Sequence, residues 1–333
     1  MKIGLSYDIK EQSSKAEGLP EDAFEEYDSP ETVEALAAAI GSHGHTVFKL
    51  GGGLAFINNI LNIRPAMVFN IAEGLGNYRS REAQVPSVLE MLGIPYSGSD
   101  PLTLSVCLEK PLTKQIVAAC GVATPKWCVI NDINELESIN WKEFPFPAFA
   151  KPAHEGSSKG IRGSSRVDNT RQLKELVKGQ MALYAQPMMV EEFIPGEEVT
   201  VGLLGNNPPR FTGIMHVMPR QKSPHFVYSL EVKRNWQQLV QYECPAKLDE
   251  SVLNKIQASS LKAFKALGIR DLARIDFRIS TDGTPYFLEV NPLPGLNPKS
   301  GDFIIMGEAM GWSYDSLIGA VVDSAIERCG LGS

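Results

Sequence analysis

The stretch RIDFRISTDGTPYFLEVN, residues 274–291, decides the fold because it predicts a β-hairpin with two chemically different faces. An Asp-Gly pair, here Asp282-Gly283, favours a two-residue hairpin turn. A turn centred there pairs Ser280 with Pro285 and sets the register of both strands. Side chains alternate between the two faces of a strand, so one face should be apolar and lie against the core. That face carries Ile275, Phe277 and Ile279 on one strand and Tyr286, Leu288 and Val290 on the other.

The opposite face of the predicted hairpin is polar. The same register places Asp276 directly opposite Glu289 and Arg274 opposite Asn291. Two facing carboxylates repel each other, so a compensating charge is expected. A Mg²⁺ ion held by oxygens of Asp276, Glu289 and Asn291 would supply it, and Arg274 could stabilise charge on a phosphoryl group or a tetrahedral intermediate. The hairpin alone leaves a second interpretation open, in which the face is solvated and Arg274 and Arg278 neutralise the acids.

A glycine- and serine-rich loop follows a short apolar strand upstream of the hairpin. It reads KPAHEGSSKGI, residues 151–161. The two glycines let the backbone approach a ligand, the two serines add donors, and successive backbone N–H groups in such a loop bind anions. The spacing differs from that of a Walker A loop. Taken alone, the segment is also consistent with a flexible polar turn.

A third segment, MVEEFIPGEE at residues 189–198, is an apolar strand that ends in carboxylates and a turn. Hydrogen-bond acceptors beside an apolar slot suit the adenine edge and the ribose hydroxyls of a nucleotide. A charged strand end at the surface is the alternative interpretation.

Short apolar runs alternate with helical patterns over the first hundred residues, which predicts a parallel sheet wrapped by helices. Ser29 and Pro30 have the character of a helix N-cap and first helical residue, after a polar loop at Lys10–Asp28. In this region the predicted strands are Lys2–Ser6, Thr46–Leu50 and Ala66–Asn70, with a second helix at Arg81–Leu92. Beyond it, helices are predicted at about 102–110, 111–120 and 248–267, and strands at 127–130, 148–151, 188–192, 199–204 and 211–218.

Composition limits the classes of function. The 333 residues carry a net charge of -7, and an acidic surface repels a phosphate backbone, so nucleic-acid binding is not expected. The five cysteines lack C-x-x-C spacing, which argues against a zinc site and a disulfide framework. Without a membrane-length apolar run or a signal-peptide core, a cytoplasmic protein that does not bind membranes is expected. Gly74-Leu75-Gly76 is only a partial dinucleotide pattern, because Arg79 replaces the third glycine.

In this order and at these spacings, the motifs resemble the ATP-grasp fold, and most closely the D-alanine–D-alanine ligase family, over nearly the whole chain. The segments that carry the resemblance are 92–99, Glu109-Lys110, Lys151-Pro152, 155–158, 191–200, 274–276, 288–291 and Pro294-Gly295. It implies an α/β (α+β) ATP-grasp fold with an N-terminal Rossmann-like, parallel-sheet domain at 1–103. A central subdomain with the phosphate loop would span 104–187, and a C-terminal subdomain with the metal site would span 188–333. A homodimer is also implied.

The resemblance implies roles for the matching residues. Lys110 and Lys151 would contact the ATP phosphates, Glu191 and Ile194 the adenine, and Glu198 the ribose. The full set implied to bind ATP is Lys110, Lys151, Gly156, Ser157, Ser158, Glu191, Glu192, Phe193, Ile194, Glu198 and Leu288. Mg²⁺, or Mn²⁺ in its place, would be held by Asp276, Glu289 and Asn291.

The implied reaction joins two small amino-acid-like substrates. A carboxylate would attack the γ-phosphate of ATP, and an amine would then attack the acyl phosphate. Arg274 and the backbone of Gly295 would form the oxyanion site, Lys233 would reach the phosphates, and Ser157 would lie in the loop that closes over them. Ser300 and the Gly301 backbone would bind the carboxylate of the second substrate.

The first-substrate region departs from the family pattern. The family's His-Gly-x-x-Gly-Glu-Asp-Gly stretch becomes Ala72–Gly76, with Asn77–Gln84 in place of its acidic end. Arg234 stands where the family has a tyrosine. The family glutamate that binds the first amino group falls in an insertion, where Glu25 or Glu26 is the match. The second-substrate loop, residues 292–300, is also unusual.

These departures predict substrates other than two D-alanines. Arg234, with Arg79 or Arg81, would suit a larger or more acidic substrate. One alternative is that these arginines form surface salt bridges and the protein is a D-alanine–D-alanine ligase of cell-wall synthesis. Another is a catalytically silent ATP-binding module, although the metal ligands, both phosphate lysines and Arg274 are all present.

Overall fold

The computed structural model describes residues 1–10, 18–221, 223 and 225–332, and its first sheet is parallel as predicted. The elements of this region are β1 (Lys2–Ser6), α1 (Pro30–Ser42), β2 (Thr46–Gly51), α2 (Gly53–Ile63), β3 (Met67–Asn70), a 3-10 helix (Arg81–Ala83) and α3 (Gln84–Leu92). The strand order is β2-β1-β3. Part of the predicted loop at Lys10–Asp28 falls at 11–17, outside the described residues, and the remainder forms turns.

Capping explains why α1 was predicted and α2 was not. The Ser29 hydroxyl accepts a hydrogen bond from the backbone N–H of Thr32, and Pro30 is the first residue of α1. Helix α2 was not predicted. It begins at the third of three consecutive glycines, and its cap residue Gly52 has no side chain with which to bond the first turn, so the sequence carries little signal for its start.

The second sheet is antiparallel and lies in the middle of the chain. Its elements are α4 (Pro101–Leu108), α5 (Lys110–Ala119), β4 (Trp127–Ile130), α6 (Glu135–Ser138), β5 (Ala148–Pro152), β6 (Arg166–Val167), α7 (Thr170–Tyr184) and β7 (Met188–Glu192). The strand order is β4-β7-β5-β6. Strand β7 pairs with β4 and β5, so it belongs to this sheet, although the predicted boundary after residue 187 assigned it to the C-terminal region.

The third sheet is also antiparallel and has the order β10-β9-β8-β11-β12. Its elements are β8 (Gly196–Leu204), β9 (Arg210–Pro219), α8 (Leu230–Arg234), α9 (Trp236–Leu239), β10 (Val240–Glu243), α10 (Glu250–Ala266), β11 (Leu272–Ser280) and β12 (Pro285–Asn291). Helices α11 (Asp302–Ala309) and α12 (Tyr314–Arg328) complete the chain. Side chains of α10 pack with β8, β11 and β12 in one apolar cluster.

The β11–β12 hairpin keeps its predicted polar face through a β-bulge. At the open end, Asp276 pairs with Glu289 and Arg274 with Asn291, as predicted. The register shifts by one residue after Asp276. The turn is therefore longer than predicted: the Ser280 N–H donates to the Thr284 carbonyl at 3.0 Å, with three residues between them.

The bulge also changes which side chains of β12 reach the core. Phe287 pairs with Phe277, and both side chains are fully buried. Tyr286 and Leu288, predicted on the core face, are only partly buried. The prediction for these two residues was wrong because one extra residue on a bulged strand reverses the faces beyond it.

The five cysteines are free thiols. Among the described residues, no helix combines the length and the apolar character needed to cross a lipid bilayer.

The two ends of the chain pack together around a buried carboxylate. Helix α12 packs its apolar face on β1 and α1 in one cluster. Asp271, fully buried, accepts hydrogen bonds from Arg328 Nε at 2.9 Å, from the Gly98 N–H at 2.8 Å and from Asn206 Nδ2 at 3.0 Å. Arg328 also donates to the Tyr96 carbonyl at 2.7 Å. These hydrogen bonds therefore connect α12 to the end of the first sheet and to the start of β11.

Replacing Arg328 with alanine should lower the free energy of unfolding by about 2 kcal/mol or more, because the buried carboxyl group of Asp271 would lose its cation and two of its hydrogen bonds. Chemical denaturation followed by circular dichroism measures the change. The matched control is Arg171→Ala on the exposed side of α7, expected to change stability by about 0.5 kcal/mol or less. Equal effects of the two substitutions would contradict the assignment.

Candidate active site

Two cavities meet at the polar face of the hairpin. The β-sheet cavity lies between the second and third sheets and has a volume of about 780 Å³. The amino-terminal cavity, of about 940 Å³, lies between the first sheet, the loop after β5 and the segment after β12. Arg274 and Glu289 line both cavities. The hairpin face is thus the wall through which groups held in the two cavities can meet.

The β-sheet cavity collects most of the predicted nucleotide residues. Its walls are apolar, with Phe149, Ile161 and Val217 among them, and carboxylates and lysines stand at its edges. The predicted residues that line it are Lys151, Ser158, Glu191, Glu192, Phe193, Ile194, Glu198, Lys233 and Leu288. Leu288 reaches this cavity because it occupies the bulge. Lys110, Gly156, Ser157 and Gly295 line the amino-terminal cavity instead.

A buried charge triad positions the lysine of the β-sheet cavity. Glu191 lies 2.8 Å from Lys151 Nζ and 2.9 Å from Lys114 Nζ, and all three side chains are buried. Burial alone would raise the pKa of Glu191, but the two ammonium groups outweigh it and hold that pKa below its ordinary value. Burial lowers the pKa of Lys114 to about 8.

Sequence reasoning missed Lys114. It is fully buried and also donates to the Phe287 carbonyl at 3.0 Å, which connects the second sheet to the hairpin. The available signal was its spacing from Lys110, because residues four apart share one face of a helix. We infer that Lys114 positions Glu191 and, through it, Lys151.

The predicted metal ligands lie together on the hairpin. Asp276 accepts hydrogen bonds from Thr200 Oγ1 at 2.6 Å and from Asn291 Nδ2 at 3.3 Å, and Arg274 Nη2 lies 2.9 Å from it. Glu289 lies 3.7 Å from Lys110 Nζ. Burial raises the pKa of Glu289, but Lys110 and other nearby cations overcome that effect and lower it to about 2.

This donor set suits a hard divalent cation. Two ionised carboxylates and a carboxamide oxygen are the ligand types that Mg²⁺ prefers. In the described ranges, no three His, Cys, Asp or Glu side chains form a metal-binding group, so the third protein ligand would be the amide of Asn291. Of the two arginines considered as neutralising partners, Arg274 does pair with Asp276, whereas Arg278 pairs with Glu198.

The loop after β5 has an unusual backbone. Ser157 and Ser158 both have positive φ, 46° and 60°. Non-glycine residues rarely adopt this conformation, and such strain concentrates at ligand-binding loops. Here the Gly156 N–H donates to the Glu26 carboxylate, so Glu26 holds the loop from the amino-terminal side.

Glu26 belongs to a balanced group of buried charges on the wall of the amino-terminal cavity. Arg81 Nη2 lies 2.7 Å from Glu26 and 2.9 Å from Glu155. Lys159 Nζ lies 3.4 Å from Glu26 and 2.5 Å from Glu155. Burial raises the pKa of Glu26, but Arg81 and Lys159 overcome it and lower it to about 2. Two cations therefore neutralise two carboxylates.

Several predicted substrate residues do not reach either cavity. Arg234 is half-exposed and pairs with Glu25 at 2.9 Å, and Glu25 also pairs with Lys10 at 3.6 Å. Of the two glutamates proposed as matches, the structure brings Glu26 to the site and leaves Glu25 outside it. The physical reason is that Arg234 lies at the surface end of α8 and fixes Glu25 there.

The remaining predicted substrate residues are also displaced from the cavities. Arg79 is exposed, and Arg81 is neutralised by acids of the protein itself. Ser300 is exposed and donates to Asn297 at 3.1 Å, while Gly301 is buried at the start of α11. The predicted match of the three arginines to a more acidic substrate therefore finds no support in their placement.

Known proteins resemble this chain over most of its length. A family model described as the D-ala D-ala ligase C-terminus matches residues 116–323. A D-alanine–D-alanine ligase of Aquifex aeolicus is 34% identical over 273 residues, 82% of this chain and 87% of the relative. A protein of Sinorhizobium fredii named "Uncharacterized protein y4sG" is 32% identical over 307 residues, 89% of this chain and 88% of the relative.

Solved structures confirm the fold. The crystal structure of a D-alanine–D-alanine ligase from Bacillus anthracis complexed with ATP covers 100% of both chains with a TM-score of 0.76, at 22% identity. The predicted mixed α/β fold of the ATP-grasp type is therefore confirmed.

Replacing Lys114 with methionine should weaken ATP binding about tenfold, because Glu191 would be left with Lys151 as its only close cation and would draw that lysine away from the phosphates. Isothermal titration with ATP and Mg²⁺ measures the affinity. Lys126→Met, on an exposed residue nearby, is the matched control and should bind ATP like the unaltered protein. Unchanged affinity in Lys114→Met would refute the positioning role.

Proposed function

The chain belongs to the D-alanine–D-alanine ligase family, and on that basis we propose that it is an ATP- and magnesium-dependent carboxylate–amine ligase whose amino-acid substrates differ from two D-alanines. The single observation that carries the proposal is the shared wall between the cavities. Arg274 and Glu289 line both, so a phosphoryl donor in one cavity and a carboxylate acceptor in the other would meet at one charged face.

The first step is a transfer of the γ-phosphoryl group. ATP would occupy the β-sheet cavity, with its adenine between the apolar walls and its phosphates near Lys151 and Lys233. An oxygen of the first substrate's carboxylate attacks the γ-phosphorus, the bond to the β,γ-bridging oxygen breaks, and ADP leaves. Positioning and charge neutralisation supply most of the catalysis in such transfers.

Asp276, Glu289 and Asn291 would hold Mg²⁺, which when bound neutralises phosphate charge. Arg274 is already fixed by Asp276 at 2.9 Å and Asp302 at 3.4 Å. A guanidinium held in this way needs no reorganisation to stabilise negative charge that develops at the shared wall.

The second step forms the amide bond. The amine of the second substrate attacks the carbonyl carbon of the acyl phosphate, phosphate leaves, and the nitrogen gives up a proton. Gly295 lines the amino-terminal cavity, where its backbone N–H would support the oxyanion together with Arg274. Enclosure between the cavities would keep water from hydrolysing the acyl phosphate.

The altered-substrate part of the proposal rests on Glu26. A family glutamate at this place binds the substrate's amino group, but here Arg81 and Lys159 already neutralise Glu26, and the Gly156 N–H donates to it. The first-substrate cavity must therefore recognise its ligand through other groups. The homodimer that the resemblance implies remains a prediction.

The test is ADP release with Mg²⁺ and ATP across D- and L-amino acids, singly and in pairs, with mass spectrometry of any product. A dipeptide from D-alanine alone, at a rate no lower than with other pairs, would refute altered substrates. ADP release and an amide product with another pair would support the proposal. ATP binding without ADP release from any pair would favour a catalytically silent module.

Replacing Asp276 with asparagine should lower the rate of ADP formation at least about 100-fold, because the shared wall loses a carboxylate that holds Mg²⁺ and fixes Arg274. Asparagine keeps the size of the side chain, and thermal unfolding reports whether the variant folds. Asp282→Asn, in the exposed turn of the same hairpin, is the matched control and should keep full activity. A fully active Asp276→Asn would exclude the metal role.

A further inference from the structure

The amino-terminal cavity is lined by more carboxyl groups than the protein pairs with its own cations. Glu26 and Glu155 are paired with Arg81 and Lys159. Three further carboxylates line the same cavity, namely those of Asp28, Glu73 and Glu82. The two cations that also line it are engaged by other acids: Arg274 pairs with Asp276 and Asp302, and Lys110 lies beside Glu289, which is part of the same lining.

Glu73 and Glu82 are brought together by a close backbone approach. Gly74 has φ of 82°, and a Cβ on it would lie 2.1 Å from the Arg81 carbonyl oxygen. Only glycine permits this contact and this conformation. The Gly74 N–H also donates to Asp8 at 2.9 Å. The segment after β3 is therefore pressed against the 3-10 helix, which places Glu73 and Glu82 on one wall.

Glu82 is buried and unpartnered. Its exposed fraction is 7%, it lines the cavity, and none of the described residues forms a hydrogen bond or ion pair with its side chain. Burying an ionised carboxylate without a partner is costly, and buried carboxylates are normally paired. An unpaired one in a cavity wall indicates that the partner comes from the ligand.

A second side chain of the cavity also lacks a partner. Asn70 is 4% exposed, and its side-chain oxygen accepts a hydrogen bond from Ser6 at 2.7 Å, but its Nδ2 has no partner among the described residues. Asn70 stands at the end of β3 and lines the same cavity. This buried donor is independent of the acids and indicates that the cavity floor is built for a polar ligand.

The electrostatics agree with the geometry. Burial raises the pKa of Glu82 to about 8 and that of Asp28 to about 7. Burial and then the nearby Glu82 raise the pKa of Glu73 well above its ordinary value. Each shift means that the ionised form is disfavoured unless an opposite charge lies beside it.

We propose that the amino-terminal cavity binds an amino-acid substrate with a second positive charge, an ammonium group on its side chain, held by Glu73 and Glu82. The inference rests on the proposed ligase function and names the substrate class of that site. A single α-ammonium offsets only one of the three unpaired carboxylates. A diamino acid offsets two of them, and the opposite charges favour ionisation of the acids.

Titration calorimetry in the presence of Mg²⁺ and β,γ-imido-ATP tests the proposal without turnover. Each diamino acid is compared with a neutral isostere, as D and as L forms. The pairs are 2,3-diaminopropionate with 2-aminobutyrate, 2,4-diaminobutyrate with norvaline, and ornithine with norleucine. We expect at least one diamino acid to bind about tenfold or more tightly than its isostere, because the isostere leaves buried polar groups unpaired.

Variants assign any preference to the proposed residues. Glu82→Gln and Glu73→Gln keep the side-chain size and should bring the affinity ratio of diamino acid to isostere close to one. Glu175→Gln, on the exposed side of α7, is the matched control and should keep the ratio. Binding of β,γ-imido-ATP reports whether each variant is folded.

The proposal would be overturned if the isosteres bind as tightly as the diamino acids, or if no member of the panel binds. It would also be overturned if the preference for a diamino acid remains in both Glu82→Gln and Glu73→Gln. ADP release is measured separately with the same amino acids. A cation preference without ADP release would refute the ligase function and leave the charge assignment standing. ADP release without a preference for the diamino acids would refute the charge assignment and leave the ligase function standing.

Discussion

The polar face of the β11–β12 hairpin is the constraint on which the site depends. Asp276 and Glu289 face each other across the hairpin, so their charges must be compensated from both sides. Arg274 holds Asp276, and Lys110 approaches Glu289. The bulge at Leu288 lets β12 direct Glu289 to the polar face and Phe287 to the core. Both cavities are arranged around this wall.

Elsewhere in the site, buried charges occur in groups that contain both signs. Lys114 and Lys151 enclose Glu191, and Arg81 lies between Glu26 and Glu155. Groups of this kind hold strands and loops in place, because removing a side chain of either charge leaves an uncompensated buried charge. Lone buried acids cannot have that structural purpose, since they weaken the fold that contains them. Their presence at a cavity wall is more readily explained by a ligand of opposite charge.

Much of the fold could be predicted from the sequence, because turns, caps and periodicity are local. The ends of the strands at Lys2–Ser6, Trp127–Ile130 and Met188–Glu192 were predicted without error. The bulge could not be predicted, since it depends on how β12 packs against the core. The choice between Glu25 and Glu26 depends on the packing of a loop: Tyr27 donates to the Gly74 carbonyl, 47 residues away in the chain.

The same separation of local and long-range determinants would allow the proposed change of substrate while the ligase chemistry is retained. The residues proposed for ATP and metal lie mainly on β5, β7, β8, β11 and β12 and on the loop after β5. The first-substrate wall is built instead by residues 73–82, a short segment between β3 and α3. Within it, Arg81 neutralises Glu26 and so removes one recognition site for an ammonium group. In our proposal Glu73 and Glu82 supply another, a few residues away, and no strand of the second or third sheet has to move.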